Sequence, residues 1–106
     1  MTIAEPRRGQ VWLADLDKRR PVIVLTRDPM GRYLGSVIVA PITSTGRGLS
    51  TEVRVGPEDG MRLPSVANLD ITQLIDRRAL VRHVGDVRAA TLTAICSALS
   101  IAIGCS

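Results

Sequence analysis

Pro21-Val22-Ile23-Val24-Leu25 and Val37-Ile38-Val39-Ala40-Pro41-Ile42 are the two stretches on which the architecture of this chain turns. Both are short, rich in β-branched residues and bounded by turn formers, the pattern of strands and not of helices. The first is apolar at every position, so it is expected to be buried on both faces. Pro21 has no N–H to give to a ladder and marks the start of that strand, which is expected to run to about Thr26. In the second stretch, counted from Ser36, Pro41 predicts an edge position or a bulge that redirects Thr43. The residues just outside these runs are chemically distinctive: Arg20 precedes the first and Thr43-Ser44-Thr45 closes the second. A cation and hydroxyls at the ends of two buried strands can meet around one phosphate, because strands hold side chains more firmly than loops.

Upstream, Val11-Trp12-Leu13-Ala14-Asp15-Leu16 reads as a strand that turns through Asp17-Lys18-Arg19-Arg20 into the next, an opening hairpin. Downstream, Gly46-Arg47-Gly48 makes a flexible basic loop that leads into Thr51-Glu52-Val53-Arg54-Val55, whose period of two indicates one solvated face. Ser65 to Asp70 and Leu80 to Val84 are two further short strands. Leu92, Ile95, Cys96, Leu99 and Ile103 repeat at helical spacing, with Asp86 as the expected N-cap and Gly104 as the stop. Strands followed by one terminal helix predict an α+β fold: a small antiparallel barrel or strongly twisted sheet with the helix on one side. Residues 1–106 carry no internal repeat or linker composition, and one domain is expected, with a second copy helping to cover apolar surface at this size.

Hydrophobic residues at 45% and charged residues at 23% supply a core and exclude a disordered chain. The apolar runs fall far short of the ~20 residues that span a bilayer, and the N-terminus lacks a signal-peptide apolar region, so no membrane association and a cytoplasmic location are expected. Cys96 and Cys105 have neither metal-ligand nor redox spacing and read as a buried thiol and a tail thiol. The formal charge of +4 favours polyanionic partners such as RNA, DNA or an acidic protein segment. Every cation but Lys18 is an arginine, which suits forked phosphate recognition and equally reflects a GC-rich genome.

In order along the chain, Arg8-Gly9-Gln10-Val11-Trp12-Leu13-Ala14-Asp15-Leu16, Arg20-Pro21-Val22-Ile23-Val24-Leu25, Val39-Ala40-Pro41-Ile42-Thr43-Ser44-Thr45, Leu49-Ser50-Thr51-Glu52-Val53, Ser65-Val66-Ala67-Asn68-Leu69-Asp70 and Ala98-Leu99-Ser100-Ile101-Ala102-Ile103-Gly104 resemble the MazF/PemK family of toxin endoribonucleases, the mRNA interferases. The resemblance implies the small SH3-like barrel shared with CcdB-type toxins, a homodimer, and cleavage of single-stranded RNA without metal or other cofactor. It also implies a partner antitoxin whose acidic, flexible segment lies across the active site. The family's catalytic arginine and threonine fall on Arg20 and Thr43, and its polar pair falls on Asn68 and Asp70. Two departures bear on substrate contacts: the loop between the first two strands is short here, and Asn68 stands where some members carry arginine. Arg19 and Arg47 are the candidates to replace that cation, with Ser44, Thr45 and Gln73 as further contacts to RNA.

Composition alone makes Arg20 a solvated hairpin charge and the hydroxyl cluster a turn that caps its own backbone; the family pattern moves both into the site. Attack by the substrate's own 2′-OH leaves the protein to stabilise a pentacoordinate phosphorane and to move protons. Arginine stays protonated in proteins, so Arg20 suits charge stabilisation and not proton abstraction. Asp70 is a candidate proton acceptor or, equally, a turn-capping carboxylate, while His83, the one histidine, reads as structural. The alternatives are a CcdB-like toxin that binds DNA gyrase without catalysis and a regulatory module that merely grips RNA phosphates.

Overall fold

The computed structural model describes residues 5–104. Seven strands form one antiparallel sheet: β1 (Gln10–Asp15), β2 (Arg19–Val24), β3 (Ser36–Thr43), β4 (Glu52–Val55), β5 (Ser65–Asn68), β6 (Gln73–Asp76) and β7 (Leu80–Asp86). They run in the order β4-β5-β3-β2-β1-β7, with β6 also paired to β3, and one helix, α1 (Ala89–Ala102), comes last. The α+β class expected from the sequence holds, but the strand path does not close into a barrel: β4 and β7 remain separate edges.

Strand β3 exchanges partners along its length. Ser36 to Val39 pair with β6 and Ile42 and Thr43 with β5, while the other side pairs with β2. Pro41 falls in the interval between the β6 and β5 pairings, where a missing N–H breaks no ladder on that side. The edge position expected from Pro41 is therefore corrected: β3 is interior, and the proline marks where the strand passes from one partner to the other.

The unbroken apolar run of β2 is buried on both faces, as expected. Pleat alternation sends Ile23 and Leu25 into one cluster with Val11, Ala40, Ile42, Val53, Val55, Ala67, Leu69, Ile95 and Ala98, beneath the helix. Val22 and Val24 enter a second cluster on the opposite face with Ala14, Val37, Val39, Ile75 and Leu80. Fully burying side chains of this size contributes about 1.5–3 kcal/mol each before entropy is subtracted. β2 thus serves both clusters, as does β3, with Val37 and Val39 on one face and Ala40 and Ile42 on the other.

Helix α1 turns Thr91, Ile95 and Ala98 inward, one step round from the face that Leu92, Cys96 and Ile103 define; Ile103 is exposed and Cys96 half-buried. Cys105 lies outside the described residues. Asp86 is not the N-cap: it ends β7, and its carboxylate takes the His83 ring. The cap residue is Arg88, whose own side chain makes no capping bond. Its N–H donates instead to Asp59 Oδ1 at 2.8 Å, so a carboxylate from the 3-10 turn Pro57–Asp59 answers the helix N-terminus. Burial alone would push Asp59 up, but bonds from the Arg88 N–H, the Thr91 hydroxyl, the Gly56 N–H and the Arg88 guanidinium hold it below its ordinary value. Gly104, at φ +73°, stops the helix as expected.

Candidate active site

The β2–β3 register pairs Val22 with Pro41, Ile23 with Ala40 and Val24 with Val39. Continued by two residues toward the strand ends, it faces Arg20 with Thr43 on one side of the sheet, the side of Val22 and Val39 and away from the helix. Neighbouring strands extend the row: Arg20 pairs with Ala14 of β1, Thr43 with Val66 of β5, and Val66 with Arg54 of β4. Two cations and a hydroxyl therefore stand in line across four strands, all three exposed.

Arg20 and Thr43 are held lightly. The Arg20 guanidinium rests 3.7 Å from the Asp17 carboxylate, with the arginine side chain half exposed. Pairs of this kind contribute about 0–1 kcal/mol, so an incoming phosphate can take the guanidinium from Asp17 at little cost. Thr43 Oγ1 accepts the Thr45 N–H at 3.3 Å, which leaves its own hydroxyl proton free to donate. Turn capping by the hydroxyl cluster and phosphate binding by it are thus compatible.

The loop after Thr43 is organised by Glu52, a residue to which the sequence pattern assigns no role beyond a solvated strand position. The Glu52 carboxylate accepts the N–H groups of Arg47 at 2.9 Å and Leu49 at 3.0 Å. Those amides, first Leu49 and then Arg47, hold Glu52 below its ordinary value, with the Gly48 amide and the Arg47 charge adding to them. Glu52 in turn pairs across the sheet with Asn68. The one signal for it in the sequence is the period of two in β4, which puts Glu52 and Arg54 on its solvated face. Ser44 lines a groove of about 470 Å³ with Arg54, Ser65, Val66 and Arg88 among its walls.

The remaining sequence candidates are dispersed. Arg19 occupies the opposite pleat from Arg20, pairs in register with Asp15, and sits 3.9 Å from that carboxylate. Asn68 closes β5, and its side chain accepts the Asp70 N–H at 2.9 Å. Asp70 consequently lies in the turn beyond the strand, not on it, and one carboxylate oxygen accepts the Thr51 hydroxyl at 2.5 Å. Gln73 pairs with Val39, four residues back along β3 from Thr43 and so roughly 13 Å away along the strand. Arg20, Thr43, Ser44 and Thr45 belong to one end of β2 and β3; Asn68, two residues past the Val66 that pairs with Thr43, lies back toward the middle of β3, where Gln73 pairs with Val39. Among the described residues no group of three or more His, Cys, Asp or Glu is placed to hold a metal ion.

Fold and site together define a class: a small α+β protein whose strand ends offer guanidinium and hydroxyl groups in the open, an arrangement suited to an extended anionic chain and not to an enclosed small molecule. The chain belongs to the PemK-like, MazF-like toxins of type II toxin-antitoxin systems, whose family profile matches residues 7–103. It is 40% identical over 106 residues to the probable endoribonuclease MazF5 of Mycobacterium tuberculosis, covering 97% of each chain. Among solved structures it resembles the Mycobacterium tuberculosis toxin MazF-mt6, at 41% identity and a TM-score of 0.87 over 92% of this chain and 98% of that one. A mycobacterial endoribonuclease in complex with its cognate antitoxin matches at 30% identity and a TM-score of 0.87, over 93% of this chain and 95% of the other.

Proposed function

We propose that this protein is the toxin of a toxin-antitoxin pair and acts as an endoribonuclease on single-stranded RNA, inhibiting translation. What supports the mechanism is the β2–β3 register, which, continued two residues past its last pair Val22–Pro41, sets Arg20 opposite Thr43 at the strand ends. The substrate's 2′-OH gives its proton to solvent as it attacks the adjacent phosphorus, the bond from phosphorus to the 5′-oxygen breaks, and that oxygen takes a proton from solvent, giving a 2′,3′-cyclic phosphate and a 5′-OH. The protein supplies no nucleophile. Arg20 holds the non-bridging oxygens through its planar fork as charge builds on them, and Thr43 donates to the same oxygens. Ser44, Thr45 and Arg47 contact the strand around the scissile bond, with Asn68, Asp70 and Gln73 farther along it and Arg19 flanking from the opposite pleat. Asp70 keeps one carboxylate oxygen for a ribose hydroxyl.

The protein acts without a metal or other cofactor, so incubation with a mixed RNA pool in EDTA is the test. Fragments with cyclic phosphate and 5′-OH ends support the reading; RNA left intact rejects it. The CcdB-like gyrase binder is not favoured, since the matched structures are MazF toxins. It predicts intact RNA and inhibited gyrase in the same experiment.

The partners proposed are an antitoxin whose acidic, flexible segment competes with RNA for Arg20, and a second copy of this chain. The exposed cross-strand pair Ile38 and Leu74, with Ile71 beside it in sequence, is apolar surface that a second copy would cover. Light scattering is expected to give twice the chain mass of 11.4 kDa; the single-chain mass at all concentrations would reject the dimer. None of the described helices is long and apolar enough to cross a membrane, and a cytoplasmic location is proposed.

A further inference from the structure

Selecting a cleavage site in RNA requires that bases be gripped as well as phosphates, and unpaired bases are commonly held by stacking on rings. Rings are scarce here: the chain has one Trp, one Tyr, one His and no Phe. Tyr33 stands just after the 3-10 turn Met30–Arg32 in the connection from β2 to β3, at the opposite end of those strands from Arg20 and Thr43. Trp12 and His83 are placed differently. Trp12 pairs in register with Val22 on one side and His83 on the other, and alternation puts it on the face that carries Arg20. The two rings stack with centroids 5.3 Å apart and planes 25° from parallel.

Both rings are fixed at their edges. Trp12 Nε1 donates to Gln10 Oε1 at 3.0 Å, and that oxygen also accepts the Arg7 N–H. His83 Nε2 lies 2.9 Å from Asp86 Oδ1 and 3.1 Å from the Gly85 carbonyl; since both partners are acceptors, Nε2 carries the proton. Trp12 is partly buried, packed on the cluster of Val22 and Val24, whereas the His83 side chain stays 39% exposed. The pair is therefore a stack whose inner ring rests against the core and whose outer ring is the more exposed of the two. Two strand spacings and two residues separate His83 from Arg20, about 12 Å, within reach of a base near a phosphate held at Arg20.

We infer that the Trp12–His83 stack is a base-binding platform for the RNA strand cleaved at Arg20 and Thr43, with the outer face of the imidazole as the stacking surface. The inference rests on the endoribonuclease function proposed for this chain. Rings already locked by hydrogen bonds lose little freedom when a base settles on them, which favours such a platform over a mobile aromatic.

The test compares His83→Ala with His83→Phe on an RNA whose cleavage site has been mapped. It measures kcat, KM and Tm, together with binding of a labelled, fully 2′-O-methylated copy of that RNA. Loss of a stacked base is expected to weaken binding and raise KM by about tenfold in His83→Ala. In the same variant kcat and Tm should stay close to the parent's, and His83→Phe should recover binding because it keeps a flat ring. The inference is overturned if His83→Ala binds like the parent, if its loss follows a fall in Tm, or if His83→Phe binds no better than His83→Ala. Failure of the unaltered protein to cleave any RNA would instead reject the endoribonuclease function itself.

Discussion

Replacing Asp59 by alanine is expected to be among the most damaging single changes to stability, although the residue lies outside the strand ends where RNA would react. Asp59 is 1% exposed, and its shortest bond is the 2.8 Å contact from the Arg88 N–H at the start of α1. A hydrogen bond to a charged acceptor contributes about 1.5–3 kcal/mol. The bonds from Gly56 N–H and Arg88 Nε, both 3.4 Å, are long and add little. Truncation also leaves the helix N-terminus without its acceptor, so Asp59→Ala should cost about 3 kcal/mol. At about 4–8 °C per kcal/mol for a domain of this size, Tm should fall by roughly 12–24 °C. Asp59→Asn keeps an acceptor oxygen and loses the charge that favours the helix N-terminus, so it should lose only about 5 °C.

Thermal melts monitored by circular dichroism distinguish the variants. A Tm for Asp59→Ala within about 4 °C of the parent would refute the assignment, as would an Asn variant no more stable than the Ala variant. The pH dependence carries the same information. Asp59 is held below its ordinary value in the folded protein. Its contribution is therefore fully present above pH ~3.9 and is lost as pH falls through the lower folded-state value. The acid limb of the stability curve should flatten in Asp59→Asn.

Glu52→Gln removes the charge that collects the Arg47 and Leu49 amides, so those amides should exchange with solvent faster and KM for RNA should rise severalfold with kcat nearly unchanged. Equal exchange rates in the two proteins would remove Glu52 from this role. Because Glu52 is held below its ordinary value, loop order in the parent should persist above the usual carboxylate range and be lost as pH falls through the lower folded-state value. Exchange at those two amides as a function of pH checks the sign. RNA binding through the Arg20, Arg54 and Arg47 cations should weaken steeply with salt, and a flat salt dependence would show that phosphate contacts do not supply the affinity.

Features under the control of local pattern are legible in the sequence. The uninterrupted Pro21 to Leu25 run foretells a strand serving two clusters, and the alternation of Thr51 to Val55 foretells β4 with one wet face. Arg20 and Thr43 stand at the ends of apolar runs, but position alone leaves them a hairpin charge and a turn-capping hydroxyl, and it is the family resemblance that makes them site candidates. The features that escape depend on contacts distant in sequence. β6 is four residues long with only Ile75 buried, so it has almost no apolar signal of its own and exists because β3 pairs with it. Proximity points to Asp86 at the helix start, yet the carboxylate that fills that role comes from Asp59, 29 residues before Arg88. Barrel closure is decided by which strands meet, and no periodicity reports that. The Glu52 loop and the Trp12–His83 stack are hidden for the same reason: each is a cross-strand or loop-to-strand contact between residues unremarkable alone.

The proposed reaction depends on a guanidinium and a hydroxyl acting on one phosphate, and the cleavage rates of Arg20→Ala, Thr43→Ala and the double variant in EDTA measure that dependence. Each single change is expected to lower kcat by about 10²-fold with Tm unaltered. The double variant should lose less than the product of the two, because groups that act on the same charge are not additive. Folded single variants that cleave at close to the parent rate would show that neither group stabilises the transition state.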